Sequence, residues 1–109
     1  MTAMDALPEI VRRLVEAARP QRIILFGSWA KGTNRPESDL DLLVIEDEPF
    51  GPQRSRLREI GRLERAIGRL PYSTDILVYS RDEVQRWQSS SGHVIARALQ
   101  EGTEVYVRQ

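Results

Sequence analysis

Two short, uninterrupted apolar runs constrain the fold of this chain more than any other feature. They are Ile23–Phe26 and Leu42–Ile45, and both are rich in aliphatic and β-branched residues. Each run is far too short to span a membrane, and Gly27 ends the first one. Runs of this length and composition are typical of strands inside a sheet. The sequence therefore predicts interior strands at Arg22–Phe26 and Leu40–Ile45.

Helical periodicity flanks these runs on both sides. Before the first run, apolar residues recur at helical spacing between Pro8 and Pro20: Ile10, Val11, Leu14, Val15 and Ala18. From about Pro52, a second apolar stripe runs to Pro71: Leu57, Ile60, Leu63, Ile67 and Leu70. We expect two helices, each burying one face.

The last third of the chain continues the alternation. A third strand is predicted at Thr74–Tyr79, and Ser80 with Glu83 forms a capping-box pattern that opens a short helix. A last helix is predicted from His93 to Gln100, followed by an edge strand at Thr103–Val107. The predicted order is α, β, short α, β, α, β, α, α, β, and we expect residues 1–109 to form a single α/β domain.

Composition excludes several classes of protein. Sixteen basic residues balance sixteen acidic ones, which argues against holding nucleic acid by bulk electrostatics, and no direct nucleic-acid binding is expected. There is no cysteine, so disulfides, thiolate metal sites and a cysteine nucleophile are excluded. The N-terminus lacks a basic-then-apolar signal pattern. We expect a cytoplasmic protein without membrane association.

Paired acids at the start of the second strand are the first candidate for chemistry. Because side chains alternate along a strand, Asp39 and Asp41 should project together, while Leu40 and Leu42 point into the core. Two neighbouring carboxylates repel each other, and a bound divalent cation relieves that repulsion. Mg²⁺ prefers carboxylate oxygens, and Asp75 in the third strand could add another ligand, so that the three acids organise two ions.

The Gly27-Ser28 turn is the second candidate. Gly27 permits a close approach of the backbone to a ligand, and we expect Ser28 to cap a one-turn helix that runs through Lys31 to Gly32. Free N–H groups at such a helix start can receive phosphate, to which the Ser28 hydroxyl adds a donor. Lys31 and Arg35 either steady the phosphates or lie solvated on the surface.

With ten residues between Ser28 and Asp39, the pattern of Gly27-Ser28 followed by Asp39-x-Asp41 resembles the signature of the nucleotidyltransferase superfamily related to DNA polymerase β. The chain is especially similar to the minimal nucleotidyltransferases, or MNT family. That similarity extends over four segments: Leu25–Gly32, Ser38–Leu42, Asp75–Leu77 and Gly102–Tyr106.

This resemblance implies the polymerase β-like fold, a mixed sheet flanked by helices. It also implies that Asp39 and Asp41 bind Mg²⁺, that Asp75 completes a catalytic triad, and that AMP passes from ATP to an acceptor hydroxyl. Many members are antitoxins that bind a HEPN-domain ribonuclease toxin and modify its tyrosine. Because the predicted elements leave no segment for an acceptor-binding domain, we expect another chain to present the acceptor.

Two alternatives remain open beside this enzymatic antitoxin. One is an antitoxin that masks its toxin by binding alone, and the other is a small-molecule nucleotidyltransferase of the aminoglycoside-modifying type. Intact acids favour catalysis over masking.

The remaining singled-out residues have simpler interpretations. Four arginines line one stripe of the predicted second helix, and a stripe of this kind is either a solvated face or a contact for an acidic partner or an RNA: Arg58, Arg62, Arg65 and Arg69. Trp29 could stack on a base or pack under the active-site loop, and we expect it to pack. His93 is expected to start a helix. The run Glu46–Glu48 is interpreted as an acidic loop without a metal site.

Overall fold

The computed structural model describes residues 2–109, and its helices and strands follow in the predicted order. No helix within that range is long and apolar enough to cross a membrane. In chain order the elements are α1 Ala3–Ala18, β1 Arg22–Phe26, α2 Ser28–Lys31, β2 Leu40–Glu46, α3 Arg56–Ile67, β3 Thr74–Ser80, α4 Arg81–Trp87, α5 Val94–Glu101 and β4 Thr103–Val107.

The four strands form one mixed sheet in the order β3-β2-β1-β4. Strand β1 is antiparallel to both β2 and β4, whereas β2 and β3 are parallel. The prediction of a mixed sheet flanked by helices is confirmed. Strands β1 and β2 are the two central strands, and β4 is an edge strand, as their sequence patterns predicted.

Helices cover both faces of the sheet, which explains why the central strands carry the apolar runs Ile23–Phe26 and Leu42–Ile45. Leu40, Leu42 and Val44 of β2 are buried in the cluster that includes residues of α1 and α3. Leu43 and Ile45 point the other way, into the cluster with α4 and α5. Alternate residues of β2 therefore face different helices, and Asp41 belongs to the α4–α5 side by this alternation.

Helix α1 begins earlier than the sequence pattern indicated. The pattern placed Pro8 near its start, but the helix starts at Ala3, and Pro8 lies inside it. The Thr2 backbone N–H donates to the Asp5 carboxylate at 2.6 Å, as in a capping box. Buried Leu7 anchors this additional N-terminal stretch against the core.

Helix α3 corrects the predicted apolar stripe. It spans Arg56–Ile67 rather than residues 52–70, because Ser55 is its N-cap and accepts a hydrogen bond from the Arg58 backbone N–H. Leu57 is 80% exposed instead of buried. The buried residues of α3 are Glu59, Leu63 and Ile67, so its buried face begins with a glutamate one turn before Leu63.

Glu46 is also placed differently from the prediction. Rather than opening an acidic loop, it is the last residue of β2 and is buried. Arg54 donates a hydrogen bond to Glu46 Oε1, while Oε2 finds no partner among residues 2–109. Burial and the adjacent Glu59 carboxylate raise the pKa of Glu46 to about 7. Glu46 therefore takes up a proton in the folded chain at a higher pH than an ordinary glutamate does.

Because the pKa of Glu46 is raised in the folded chain, we expect the free energy of unfolding to decline as the pH increases. The folded pKa of Glu46 lies above its ordinary value of 4.5, so its stabilising contribution is complete below about pH 4.5 and is lost as the pH rises through 7. Glu46→Gln replaces the carboxyl group by an amide, which can also donate a hydrogen bond but does not titrate. The variant should be more stable than the wild type at pH 8, by on the order of 1–3 kcal/mol, and similar at pH 5.

Urea unfolding at both pH values measures this difference. Glu48→Gln is the matched control, because Glu48 also pairs with Arg54, at 2.8 Å, but its side chain is 73% exposed. The interpretation is wrong if Glu46→Gln and Glu48→Gln show the same dependence on pH.

Candidate active site

The three candidate acids lie at one edge of the sheet. The end of β1 lies beside the start of β2 because these strands are antiparallel, and β3 starts there because it is parallel to β2. Asp41 stands opposite Phe26 of β1 and beside Asp75 of β3, and Asp39 directly precedes β2. The topology thus brings together acids from separate parts of the chain.

The electrostatics of this edge centre on Asp41. It is half-buried, whereas Asp39 and Asp75 are exposed. Burial raises the pKa of Asp41 above its usual range, and the charges of Asp75 and then of Asp39 raise it further. Leu40 and Leu42 are fully buried on the opposite face, as predicted. The edge therefore holds negative charge that an added cation would stabilise.

Gly27 is packed against Asp41 so closely that no side chain fits at its position. Its φ is 74°, in the region that favours glycine. A Cβ at this position would stand 3.1 Å from Asp41 Cγ and closer still to Oδ2. The predicted cap of α2 was Ser28, but Gly27 is the N-cap, and Ser28 is the first residue of the helix. The reason is this φ, which turns the chain one residue earlier than predicted.

A hydrogen bond holds the loop that leads from α2 to the acids. Trp29 packs against the core and donates from Nε1 to the Ser38 carbonyl oxygen at 2.8 Å, which confirms its predicted place under the loop. The Arg35 backbone N–H donates to Ser38 Oγ, also at 2.8 Å. Ser38 immediately precedes Asp39, so these contacts position the first acid.

Lys31 has a partner that the sequence analysis missed. Its Nζ lies 3.0 Å from Glu101 Oε2 at the end of α5. The two residues are far apart in the chain, and no local pattern signals the pair. Both side chains are about half exposed, so the ion pair contributes little stability.

The donor set at this edge suits Mg²⁺. Asp39, Asp41 and Asp75 offer only carboxylate oxygens, and none of them forms an ion pair with a basic side chain among residues 2–109. Within the same residues, no three acidic or histidine side chains are arranged to hold one metal ion by themselves. Mg²⁺ is commonly held by one or two carboxylates together with substrate phosphates. The residues present therefore fit a metal that binds with its nucleotide.

Other singled-out residues lie away from this edge. His93 starts α5, as predicted, where its Nδ1 accepts a hydrogen bond from the Ile95 backbone N–H. The arginine stripe is only partly a solvated face. Arg62 pairs with Glu59 at 2.7 Å and donates to the Ala17 carbonyl, while Arg69 lies beyond the end of α3.

Sequence comparisons place the chain among nucleotidyl-transferring proteins. The sequence model of the nucleotidyltransferase domain matches residues 4–105. A protein of Methanocaldococcus jannaschii described as a candidate protein adenylyltransferase is 36% identical over 73 residues, covering 62% of this chain and 73% of that protein. A second candidate protein adenylyltransferase of the same organism is 40% identical over 52 residues, covering 46% of this chain and 52% of that protein.

Solved structures show the same fold at low sequence identity. A candidate nucleotidyltransferase from Sulfolobus solfataricus superposes with a TM-score of 0.67 at 17% identity, covering 95% of this chain and 79% of that one. A toxin–antitoxin structure with AMP-PNP superposes with a TM-score of 0.54 at 19% identity, covering 93% and 73% respectively.

Proposed function

The chain belongs to the nucleotidyltransferase domain family, and we propose that it transfers AMP from ATP to a hydroxyl of a partner protein. The observation that carries this proposal is the register that sets Asp41 beside Asp75, with Gly27 packed against the Asp41 carboxylate. Two relatives described as candidate protein adenylyltransferases support the choice of AMP and of a protein acceptor.

In the proposed reaction, the acceptor oxygen attacks the α-phosphorus of ATP, and the bond to the β-phosphate oxygen breaks. AMP becomes esterified to the acceptor, and pyrophosphate leaves. Asp75 accepts the proton of the attacking hydroxyl, since it is exposed and adjacent to Asp41; the alternative role for Asp75 is that of a ligand for the ion that would activate this hydroxyl. Asp39 and Asp41 would hold Mg²⁺, which supplies positive charge for the phosphates when bound.

The backbone turn at Gly27-Ser28 and the side chain of Lys31 complete the nucleotide site in this proposal. The first N–H groups of α2 are not used by intrahelical bonds, and the Ser28 hydroxyl can donate as well. Lys31 leaves Glu101 to pair with the triphosphate. Each group binds or orients the substrate, while Asp75 moves the proton.

The proposed partner is a HEPN-domain ribonuclease toxin, modified on a tyrosine, with this chain as its antitoxin. Support comes from the MNT-like motifs and from the toxin–antitoxin assembly among the structural neighbours. The chain is then cytoplasmic and acts as the neutralising member of the pair.

Mass spectrometry tests this proposal directly. The protein encoded beside this chain is incubated with the chain, ATP and Mg²⁺, and we expect its mass to increase by one or more AMP groups on a tyrosine. Asp41→Asn should bind the neighbour but give no mass change. A stable complex without any mass change for the wild type would support masking by binding alone. AMP transfer to an aminoglycoside and not to the neighbour would support the small-molecule enzyme.

A further inference from the structure

An open groove of about 950 Å³ runs along the outer side of α3, away from the acids. Its upstream end lies near the opposite edge of the sheet, because Arg54 pairs with Glu46, at the far end of β2 from Asp41. The groove is lined by residues 52–55 and by six residues of α3: Leu57, Arg58, Glu59, Gly61, Arg62 and Arg65. The proposed nucleotide site uses none of them.

The centre of this groove combines an exposed apolar side chain with a helix position that has no side chain. Leu57 is 80% exposed, the highest value among the exposed large hydrophobic residues within residues 2–109. Gly61 follows one turn later on the same side of the helix. Glycine inside a helix is destabilising relative to alanine. A Cβ at Gly61 would meet only the flexible end of Arg65, with Nη1 at 3.3 Å. Packing within the chain therefore does not require glycine here.

The groove is also strongly basic, with four arginines against one glutamate among its lining residues. Arg54 and Arg62 are held in place by carboxylates, including Glu59. Arg58 and Arg65 form no ion pair with any residue from 2 to 109 and are exposed. The Arg65 guanidinium lies beside Gly61, and Arg58 directly follows Leu57 in the chain. Both groups can pair with carboxylates from outside.

We infer that this groove docks an acidic, amphipathic protein segment, with an apolar side chain seated beside Leu57 at Gly61 and carboxylates on Arg58 and Arg65. Charge complementarity selects an acidic partner. A protein segment is favoured over RNA because no aromatic side chain among residues 2–109 lines the groove, whereas single-stranded RNA is typically held by stacking. An exposed leucine at the centre also matches a protein interface better than a phosphate backbone.

A peptide titration tests the inference on the intact chain. The probe is a helical peptide of about 18 residues that carries leucines on one face with glutamates on both sides. Amide NMR shifts of the isotope-labelled chain should change at Leu57, Arg58, Gly61 and Arg65. A scrambled peptide and one with lysine in place of glutamate should bind at least about tenfold more weakly.

Matched charge reversals separate the groove from general electrostatics. Arg58→Glu with Arg65→Glu should weaken peptide binding at least about tenfold. Arg86→Glu with Arg97→Glu makes the same charge change at two exposed arginines on α4 and α5 and should have little effect. Arg62 is left intact because it holds Glu59 and α1. Nucleotide binding should be unchanged in both double variants, so failure here is distinguishable from failure of the proposed activity.

Gly61→Ala should increase the stability of the chain but weaken peptide binding, a combination that is not expected if Gly61 has only a structural role. The isolated chain should melt higher, by roughly 2–6 °C, because alanine favours the helix. The added methyl group should fill the space beside Leu57 and weaken peptide binding.

The inference is overturned if the designed peptide does not bind or binds elsewhere. It is also overturned if the scrambled peptide binds equally, if a single-stranded RNA occupies the groove more tightly, or if a second copy of the chain occupies it.

Discussion

Asp41→Asn should abolish nucleotidyl transfer, with a loss of at least about a hundredfold, while leaving the chain folded. Asp41 stands between the other two acids, beside Asp75 in the register of β2 and β3 and two residues after Asp39. In the proposed site, an amide in its place removes a carboxylate oxygen that would hold Mg²⁺. A coupled assay for pyrophosphate release measures the loss, and Asp82→Asn, an exposed acid on α4, serves as the control.

The same substitution should increase stability in metal-free buffer. Burial and the two neighbouring charges raise the pKa of Asp41 in the folded chain, so its stabilising contribution is present at low pH and is lost as the pH rises. At neutral pH the ionised carboxylate is therefore unfavourable, and the amide removes that cost. Mg²⁺ added together with a non-hydrolysable ATP analogue should raise the melting temperature of the wild type more than that of Asp41→Asn. A lower melting temperature of the variant in EDTA would instead indicate a structural capping role for Asp41.

Gly27→Val should weaken ATP binding far more than Ser28→Ala does. At Gly27 a side chain meets two obstacles, a φ of 74° and the Asp41 carboxylate, which an added Cβ would displace. Backbone strain alone costs about 1–3 kcal/mol, which corresponds to a loss of affinity of about fivefold to about 150-fold if it falls on the bound state. Ser28→Ala removes one donor and leaves the turn intact.

Calorimetry with a non-hydrolysable ATP analogue measures these affinities. Gly32→Ala is a control at the other end of α2, because Gly32 has a φ of 75° but open space where its Cβ would be. Its ψ of 16° lies in the left-handed helical region, where alanine is less strained than at Gly27, whose ψ is −156°, and it lacks the contact to Asp41. If Gly27→Val does not fold, Gly27→Ala makes the same comparison with a smaller side chain. Equal affinities for Gly27→Ala and Gly32→Ala would show that crowding of Asp41 does not matter for the nucleotide.

Local patterns were enough to predict most of the fold. The apolar runs of β1 and β2 predicted interior strands because a strand covered on both faces has no polar side to show. The Ser80–Glu83 capping box predicted the start of α4, and the structure has both of its hydrogen bonds. Helix α3 was predicted with the wrong bounds because Leu70 continues the apolar spacing past Gly68, whose φ of 75° ends the helix, and because Ser55 caps its start.

The sequence by itself determined which residues could act together at the candidate site. The alternation of Asp39 and Asp41 with Leu40 and Leu42 depends only on the geometry of a single strand. Only the tertiary structure decided that β3 lies parallel to β2, so that Asp75 stands beside Asp41, and that Gly27 rather than Ser28 caps α2. It also decided the pairing of Lys31 with Glu101 and of Arg54 with Glu46. These contacts join elements that are distant in the chain, and their partners are set by how the elements pack, which local periodicity does not encode.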